Sequence, residues 1–552
     1  MPGLRVTNPQ RPGVTNPQGP ERLQKRKIMN TIGNRKYPLS TADFERIRTD
    51  GYVYVDKTEY VHNLVSTGIF YFLSRPRRFG KSLLLSTLEA YFLGKRHLFE
   101  GLALDRLQPE EWAAYPVLRL NLSGKRYADE NSLLSELDMH LERWEKAYGI
   151  TEPRKDVDER FEIVIQTVAA VSGKKVVVLV DEYDSPLSDS IGNPRLQNHY
   201  RDQLHGFYSV LKKAESHIQF CMLTGVTKFG KVSVFSGLNN LKDITFLDAY
   251  AGICGITEDE LHSDLLPGVK KLAETEGCNV EDAFSQLKFN YDGYHFSRTL
   301  LDIYNPFSLM NALDNSEVSS YWCASGMPTL LSKSLKSADY DLNRLNNTQV
   351  TKEALENLSV YQADPVALFY QTGYLTIKAY DPETRLYTLG YPNREIEGGI
   401  LNNVLNIYVP SSPYIGAEIS HMRKAVLSGN PEDLVARLKA YLSGIPSELR
   451  KNVSKYENYY HTIFYCIASL LGLDVNVEYN TSRGFIDILI RTAEYIYVIE
   501  LKVNGSAGMA MRQIERKGYA DQFATDPRAI YLIGLGFSKK TASISSCKIE
   551  KK

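Results

Sequence analysis

The stretch Tyr71-Phe-Leu-Ser-Arg75-Pro-Arg-Arg78-Phe-Gly80-Lys81-Ser82-Leu83 decides how this chain is read. Its apolar start predicts a buried strand, and its Gly-Lys-Ser end predicts a tight turn. The spacing of Leu83, Leu84, Leu88 and Phe92 then predicts a helix. A strand, a glycine turn and a helix N-terminus together make a phosphate cradle. Backbone N–H groups and the helix dipole favour an anion, the lysine reaches the β/γ-phosphates, and the serine hydroxyl completes a Mg²⁺ shell. The P-loop pattern asks for a glycine five positions before Gly80, where this chain has Arg75. Arg75, Arg78, Gly80, Lys81, Ser82 and Leu83 are the expected nucleotide contacts here.

A second stretch supports the first. Lys174-Lys175-Val176-Val-Val-Leu-Val180-Asp181-Glu182-Tyr183-Asp184 is a charged edge, an apolar run and then carboxylates. Such an uninterrupted run fits the centre of a parallel sheet covered on both faces. Carboxylates at its C-terminal end fall in the crevice where open α/β sheets bind ligands. Asp181 could hold Mg²⁺ and Glu182 could orient the attacking water, the usual division of labour in NTP hydrolysis. The plainer alternative is a core strand followed by an ordinary acidic turn. Phe220-Cys-Met-Leu-Thr224-Gly225 is a further buried run, and its Thr224 is a candidate γ-phosphate sensor or simply a turn former.

Composition sets the bounds. A chain of 552 residues is too long for one core, and two to four domains are expected. Lys+Arg and Asp+Glu balance at 65 each, so net charge does not point to a polyanionic partner. No stretch approaches the roughly 18 apolar residues of a membrane span. The 6 cysteines form no CxxC pair, which argues against a zinc site and for reduced thiols. The expected setting is cytoplasmic, away from membranes.

Residues 1–36 read as a disordered basic, Pro-rich tail in which Val6-Thr-Asn-Pro-Gln recurs as Val14-Thr-Asn-Pro-Gln. An upstream extension with Met29 as the working start is the preferred reading of it. Residues 37–265 carry the nucleotide motifs, and within them Tyr52-Val-Tyr-Val-Asp56 alternates like a short strand followed by a helix. Residues 266–445 read as a helical connector whose Gly373–Leu389 segment forms a hairpin around Asp381-Pro-Glu-Thr384. The connector could be a winged helix; with only Lys378 and Arg385 on the hairpin, packing is favoured over DNA reading.

Residues 446–552 hold a separate constellation. Tyr456-Glu457 opens a helical pattern, Asp487 opens one apolar strand, and Glu500 and Lys502 end the next. Period-2 alternation sets Glu500 and Lys502 on one face, and a hairpin would bring Asp487 beside them. Two carboxylates and a lysine are what metal-assisted phosphodiester hydrolysis needs: Asp487 and Glu500 to hold Mg²⁺, Lys502 to orient water or stabilise charge. A Glu-x-Lys alone is ordinarily a solvated face with an ion pair. Gln513, on a helix from Ala507, is a further expected catalytic residue, and Glu457 is the expected accessory group.

In this order, Glu457, Gly484-Phe-Ile-Asp487, Ile499-Glu-Leu-Lys502 and Ala510-Met-Arg-Gln513 resemble the PD-(D/E)XK nuclease core. The preceding part resembles the AAA-ATPase-like family. The shared features are Tyr54-Val-Asp-Lys57-Thr, Arg75-Pro-Arg-Arg-Phe-Gly-Lys-Ser82, Asp181-Glu-Tyr-Asp184, Thr224-Gly-Val, Asn239-Asn240 and Tyr291-Asp-Gly-Tyr294. That resemblance implies Arg75 as the family's ordinary residue, and it sets Phe485 apart, where a basic residue is common. The expected architecture is an α/β P-loop parallel sheet with helices on both faces, a helical connector and a restriction-endonuclease-like α/β domain. ATP and Mg²⁺ are the expected cofactors, nucleic acid (DNA first) the expected substrate, and a homo-oligomer a possible assembly. The alternative is a regulatory NTPase whose nuclease-like domain binds DNA or a protein without cutting.

Overall fold

The structure, a computed structural model, describes residues 36–552 except 111, 152–155, 229–233, 324–344, 357–364, 409–414, 444–457, 482 and 539–542. Residues 1–35 of the expected tail, Met29 included, Glu457 and the 445/446 boundary lie outside the described residues.

Five short strands build the first sheet: β1 (Phe70–Ser74), β2 (Val117–Asn121), β3 (Val176–Asp181), β4 (Ile218–Gly225) and β5 (Lys242–Asp243). Their order is β2-β3-β4-β1-β5 and every pairing is parallel. β1 and β3 are buried along their whole length, as apolar runs covered on both faces must be. Helix α1 (Lys81–Phe92) follows β1 directly. The strand expected at Tyr52–Asp56 does not form. Val53 gives its N–H to Lys36, and Asp56 accepts from the Thr58 backbone, the Thr58 hydroxyl and Ala103 N–H, so the segment is fixed by a side chain instead of a ladder. The helix expected after it is present at Thr58–Thr67.

In the connector, α2 (Val280–Tyr291) and α3 (Pro306–Asn315) precede an antiparallel sheet of β6 (Thr348–Val350), β7 (Thr376–Asp381) and β8 (Leu386–Gly390), ordered β6-β8-β7. The Asp381 carboxylate holds the hairpin turn by accepting from Glu383 N–H and the Thr384 hydroxyl. Lys378, itself exposed, donates to Pro392 O at 2.9 Å, so one of the hairpin's two cations is already engaged. Helices α4 (Arg394–Tyr408) and α5 (Ile415–Leu427) follow.

The last unit sets α6 (Asn458–Leu470) before strands β9 (Asp474–Thr481), β10 (Gly484–Arg491) and β11 (Tyr495–Val503). Helix α7 (Ala507–Lys517) then crosses to β12 (Ala529–Ser538) and β13 (Ser543–Lys551). The sheet runs β9-β10-β11-β12-β13, mixed, with only β11–β12 parallel. Its tyrosines reach out to the connector: Tyr497 donates to Val426 O and Tyr531 to Gly429 O, both at the C-terminal end of α5. In return Arg394 donates to Ser469 O and Leu470 O at the end of α6. No described helix is long and apolar enough to cross a membrane.

Candidate active sites

The turn between β1 and α1 is shaped by its backbone. Gly80 sits at φ 100°, a conformation that costs other residues a Cβ clash, and it hands the chain to α1 at Lys81. Lys81 is 3% exposed. Its ammonium donates to Arg75 O at 3.0 Å and Pro76 O at 3.2 Å, and lies 3.7 Å from the Glu182 carboxylate. The loop thus holds its own lysine over the cradle. Arg78 is exposed, also at positive φ (66°), with its guanidinium 3.9 Å above the Phe307 ring.

The expectation for Arg75 needs correction. Its guanidinium is 1% exposed and turns into the core, donating to Ser74 O, Thr245 O and Tyr250 O while lying over Phe296. A side chain so engaged braces the loop and does not reach a phosphate. Only its carbonyl, through Lys81, touches the cradle.

At the end of β3, Asp181 is almost wholly buried and accepts the Thr224 hydroxyl at 2.9 Å. Thr224 is itself fully buried, so it orients Asp181 instead of facing a ligand. Glu182 follows at φ 54°, a strained turn that swings its carboxylate toward Lys81. Burial raises the Glu182 carboxyl; the Lys81 charge pulls it down, Asp184 and Asp181 push it up, and Arg77 weakly lowers it. Asp184 accepts Val226 N–H, Thr227 N–H and the Thr227 hydroxyl, clamping the end of β4. This clamp leaves no room at Gly225, where a Cβ would stand 2.5 Å from Asp184 Oδ1 and 2.6 Å from the Tyr183 ring.

The second site lies where β10 and β11 meet. Their ladder runs from Arg491↔Ile496 to Ile488↔Ile499. One step further, Asp487 Oδ2 accepts the Leu501 N–H at 2.7 Å, a carboxylate taking the place of a strand partner. Asp487 is fourth in its strand and does not open it, because Gly484 already pairs with Thr481. Glu500 is fully buried, and Lys502 Nζ donates to its Oε1 at 2.7 Å. Its Oε2 is buried with no hydrogen-bond partner among the described residues. Burial first, then the neighbouring Asp487 charge, push the Glu500 carboxyl up to about 7 against the pull of Lys502. The structure therefore brings Asp487, Glu500 and Lys502 together. An unpartnered buried carboxylate oxygen beside a second carboxylate fits a divalent ion such as Mg²⁺.

Comparison with known proteins identifies both units. A family described as a predicted AAA-ATPase matches residues 38–235, and the PD-(D/E)XK nuclease superfamily matches residues 455–546. The uncharacterized protein in the vnfD 5′ region of Azotobacter chroococcum mcd 1 is 35% identical over 529 residues, covering 94% of this chain and 99% of that protein. The chain belongs to the predicted AAA-ATPase family that ends in a PD-(D/E)XK nuclease superfamily domain. The solved Aeropyrum pernix ORC2 protein (ADPNP-ADP complexes) is 12% identical over 64% of this chain and 91% of that chain, with a TM-score of 0.23.

One feature of this AAA-ATPase-like chain escapes its linear motifs. Beside Gly80 opens an apolar recess lined by Val53, Val55, Leu83, Cys254, Ile256 and Pro306, residues far apart in sequence. Ser82 and Asp181 face a different cleft, shared with Asn121, Arg119 and Glu89, so they are the pair that could hold a metal beside a phosphate. In the nuclease domain, Gln513 Nε2 lies 3.5 Å from the Tyr519 hydroxyl, and no hydrogen bond joins it to Asp487, Glu500 or Lys502.

Proposed function

We propose that this protein binds and hydrolyses ATP with Mg²⁺ at the first site and cuts nucleic acid, DNA first, with a divalent ion at the second. The recess beside Gly80 would take the adenine, Lys81 the β/γ-phosphates, Ser82 and Asp181 the metal, and Glu182 the attacking water. In the nuclease domain a bound ion would polarise the scissile phosphate and lower the pKa of a water. Asp487 and Glu500 would hold it, and Lys502, already tethered to Glu500, would position the water or meet the developing charge. Nucleotide state then governs access to the cutting site.

The single observation that carries this reading is the buried Glu500, with one oxygen on Lys502, one unpartnered, and Asp487 alongside. The deciding experiment incubates the full chain with single- and double-stranded DNA and RNA, with and without ATP and Mg²⁺. Nicking that needs the metal and is lost in Asp487→Ala, with ATP hydrolysis retained, is the expected result. Metal-independent cutting, or cutting that survives the substitution, rejects it.

A further inference from the structure

Strand β10 opens with a glycine and then sets an aromatic ring in water. Phe485 is 56% exposed, is packed into none of the apolar cores, and meets no other aromatic ring among the described residues. Exposure alternates from there: Phe485 lies out, Ile486 in, Asp487 partly out and Ile488 in. That alternation puts Phe485 on the side of Asp487, two residues and about 7 Å away along the strand. The ring therefore flanks the site made by Asp487, Glu500 and Lys502. Cations border it. Arg483 directly precedes Gly484, and a Cβ built on Gly484 would stand 3.8 Å from Lys517 Nζ in the last turn of α7. Arg483 meets Asp521 at 3.4 Å with both side chains 61% exposed, an ion pair too well solvated to keep it from a phosphate. An exposed phenylalanine alone is an ordinary surface residue. One set between two cations and a pair of carboxylates has the parts of a single-strand groove: positive charge for the backbone and a ring for a base.

We propose that Phe485 stacks on an unpaired base beside the phosphate to be cut, with Arg483 and Lys517 on the flanking phosphates. The inference rests on the nuclease reading above and names its substrate class: single strands, or ends and flaps whose bases are unpaired. In a duplex the base faces are covered by their neighbours, and freeing one costs unstacking and unpairing. Every base has a π-face, so the ring selects strandedness and not sequence. Stacking uses no sugar hydroxyl, so DNA and RNA strands are both accepted.

The test measures binding by the full-length chain carrying Asp487→Ala, so that bound strands stay whole. The probes are a thymidine homopolymer, a uridine homopolymer and a blunt DNA hairpin of equal length. Adding Phe485→Ala is expected to cost about tenfold in affinity for both homopolymers and to leave the hairpin unchanged. Phe485→Trp should keep strand binding, while Phe485→Leu, apolar but without a ring face, should not. Phe289→Ala, which removes a 63% exposed ring from the connector, should change nothing. Undiminished strand binding by Phe485→Ala overturns the proposal, as does an equal loss on strands and hairpin, or full recovery by Phe485→Leu. A parent chain that binds none of the probes rejects the nucleic-acid reading itself, and the role of Phe485 with it. If strands bind through Phe485 but the chain with Asp487 intact cuts nothing, cutting alone is rejected and the stacking assignment stands.

Discussion

The Lys81 ammonium stands 3.7 Å from the Glu182 carboxylate, joining the first residue of α1 to the end of β3. Under the proposed function, an incoming phosphate would compete for that lysine and free the carboxylate for water. Lys81→Ala should therefore lower ATP affinity at least about tenfold, on the order of 1.4 kcal/mol. Glu182→Gln should keep binding and stop turnover, because only the water-orienting charge is lost. Calorimetry and phosphate release measure the two separately; equal ATP affinity in wild type and Lys81→Ala would contradict the assignment.

Thr224 holds Asp181 through one buried hydrogen bond. Thr224→Val keeps the shape and removes the donor, leaving Asp181 short of a partner at a cost of about 1–3 kcal/mol. The expected result is a higher Mg²⁺ requirement for turnover, with metal-free nucleotide binding little changed. A Mg²⁺ titration of the variant checks this.

Glu500 makes the nuclease domain sensitive to pH in a definite direction. Its carboxyl, near 4.5 when unperturbed, holds its proton up to about 7 in the folded chain. Its contribution to stability is thus complete below the unperturbed value and is lost as pH rises through the folded one. Glu500→Gln should remove this decline, seen by denaturant unfolding at about pH 5 and about pH 8. Protons also compete with metal for the same oxygens, so Mn²⁺ binding to the wild type should strengthen over that range. Binding that stays flat with pH would count against Glu500 as a ligand.

Gly225→Ala should destabilise the first unit by about 1–3 kcal/mol, because the added Cβ meets Asp184 and the Tyr183 ring. Thermal unfolding reads the change. A melting temperature equal to wild type would mean that the Asp184 clamp gives way without cost.

The sequence exposes this fold where one period dominates. The apolar run before Gly80 and the run Val176–Val180 could only be buried strands, and the alternation around Glu500 and Lys502 set their shared side correctly. Alternation misled at Tyr52–Asp56, where the pattern is real but no partner strand runs alongside among the described residues. Arg75 misled for another reason: nothing in a linear motif tells a cation facing phosphate from one stacked on a phenylalanine in the core. The recess beside Gly80 was invisible because its walls come from stretches near residues 53, 83, 254 and 306. Thr224 was found, but its role changed, since a fully buried hydroxyl serves its neighbouring carboxylate.

The exchange of caps between connector and nuclease domain bears on how such chains can recombine. Tyr497 caps the last turn of a connector helix, Tyr531 holds the turn just after it, and Arg394 caps a helix of the nuclease-like domain. A gene fusion or excision that parted the two would strip carbonyls bare on both sides of the cut. A nuclease-like domain moved onto another chain would keep the Ser469 and Leu470 carbonyls capped only if Arg394 and its helix went with it.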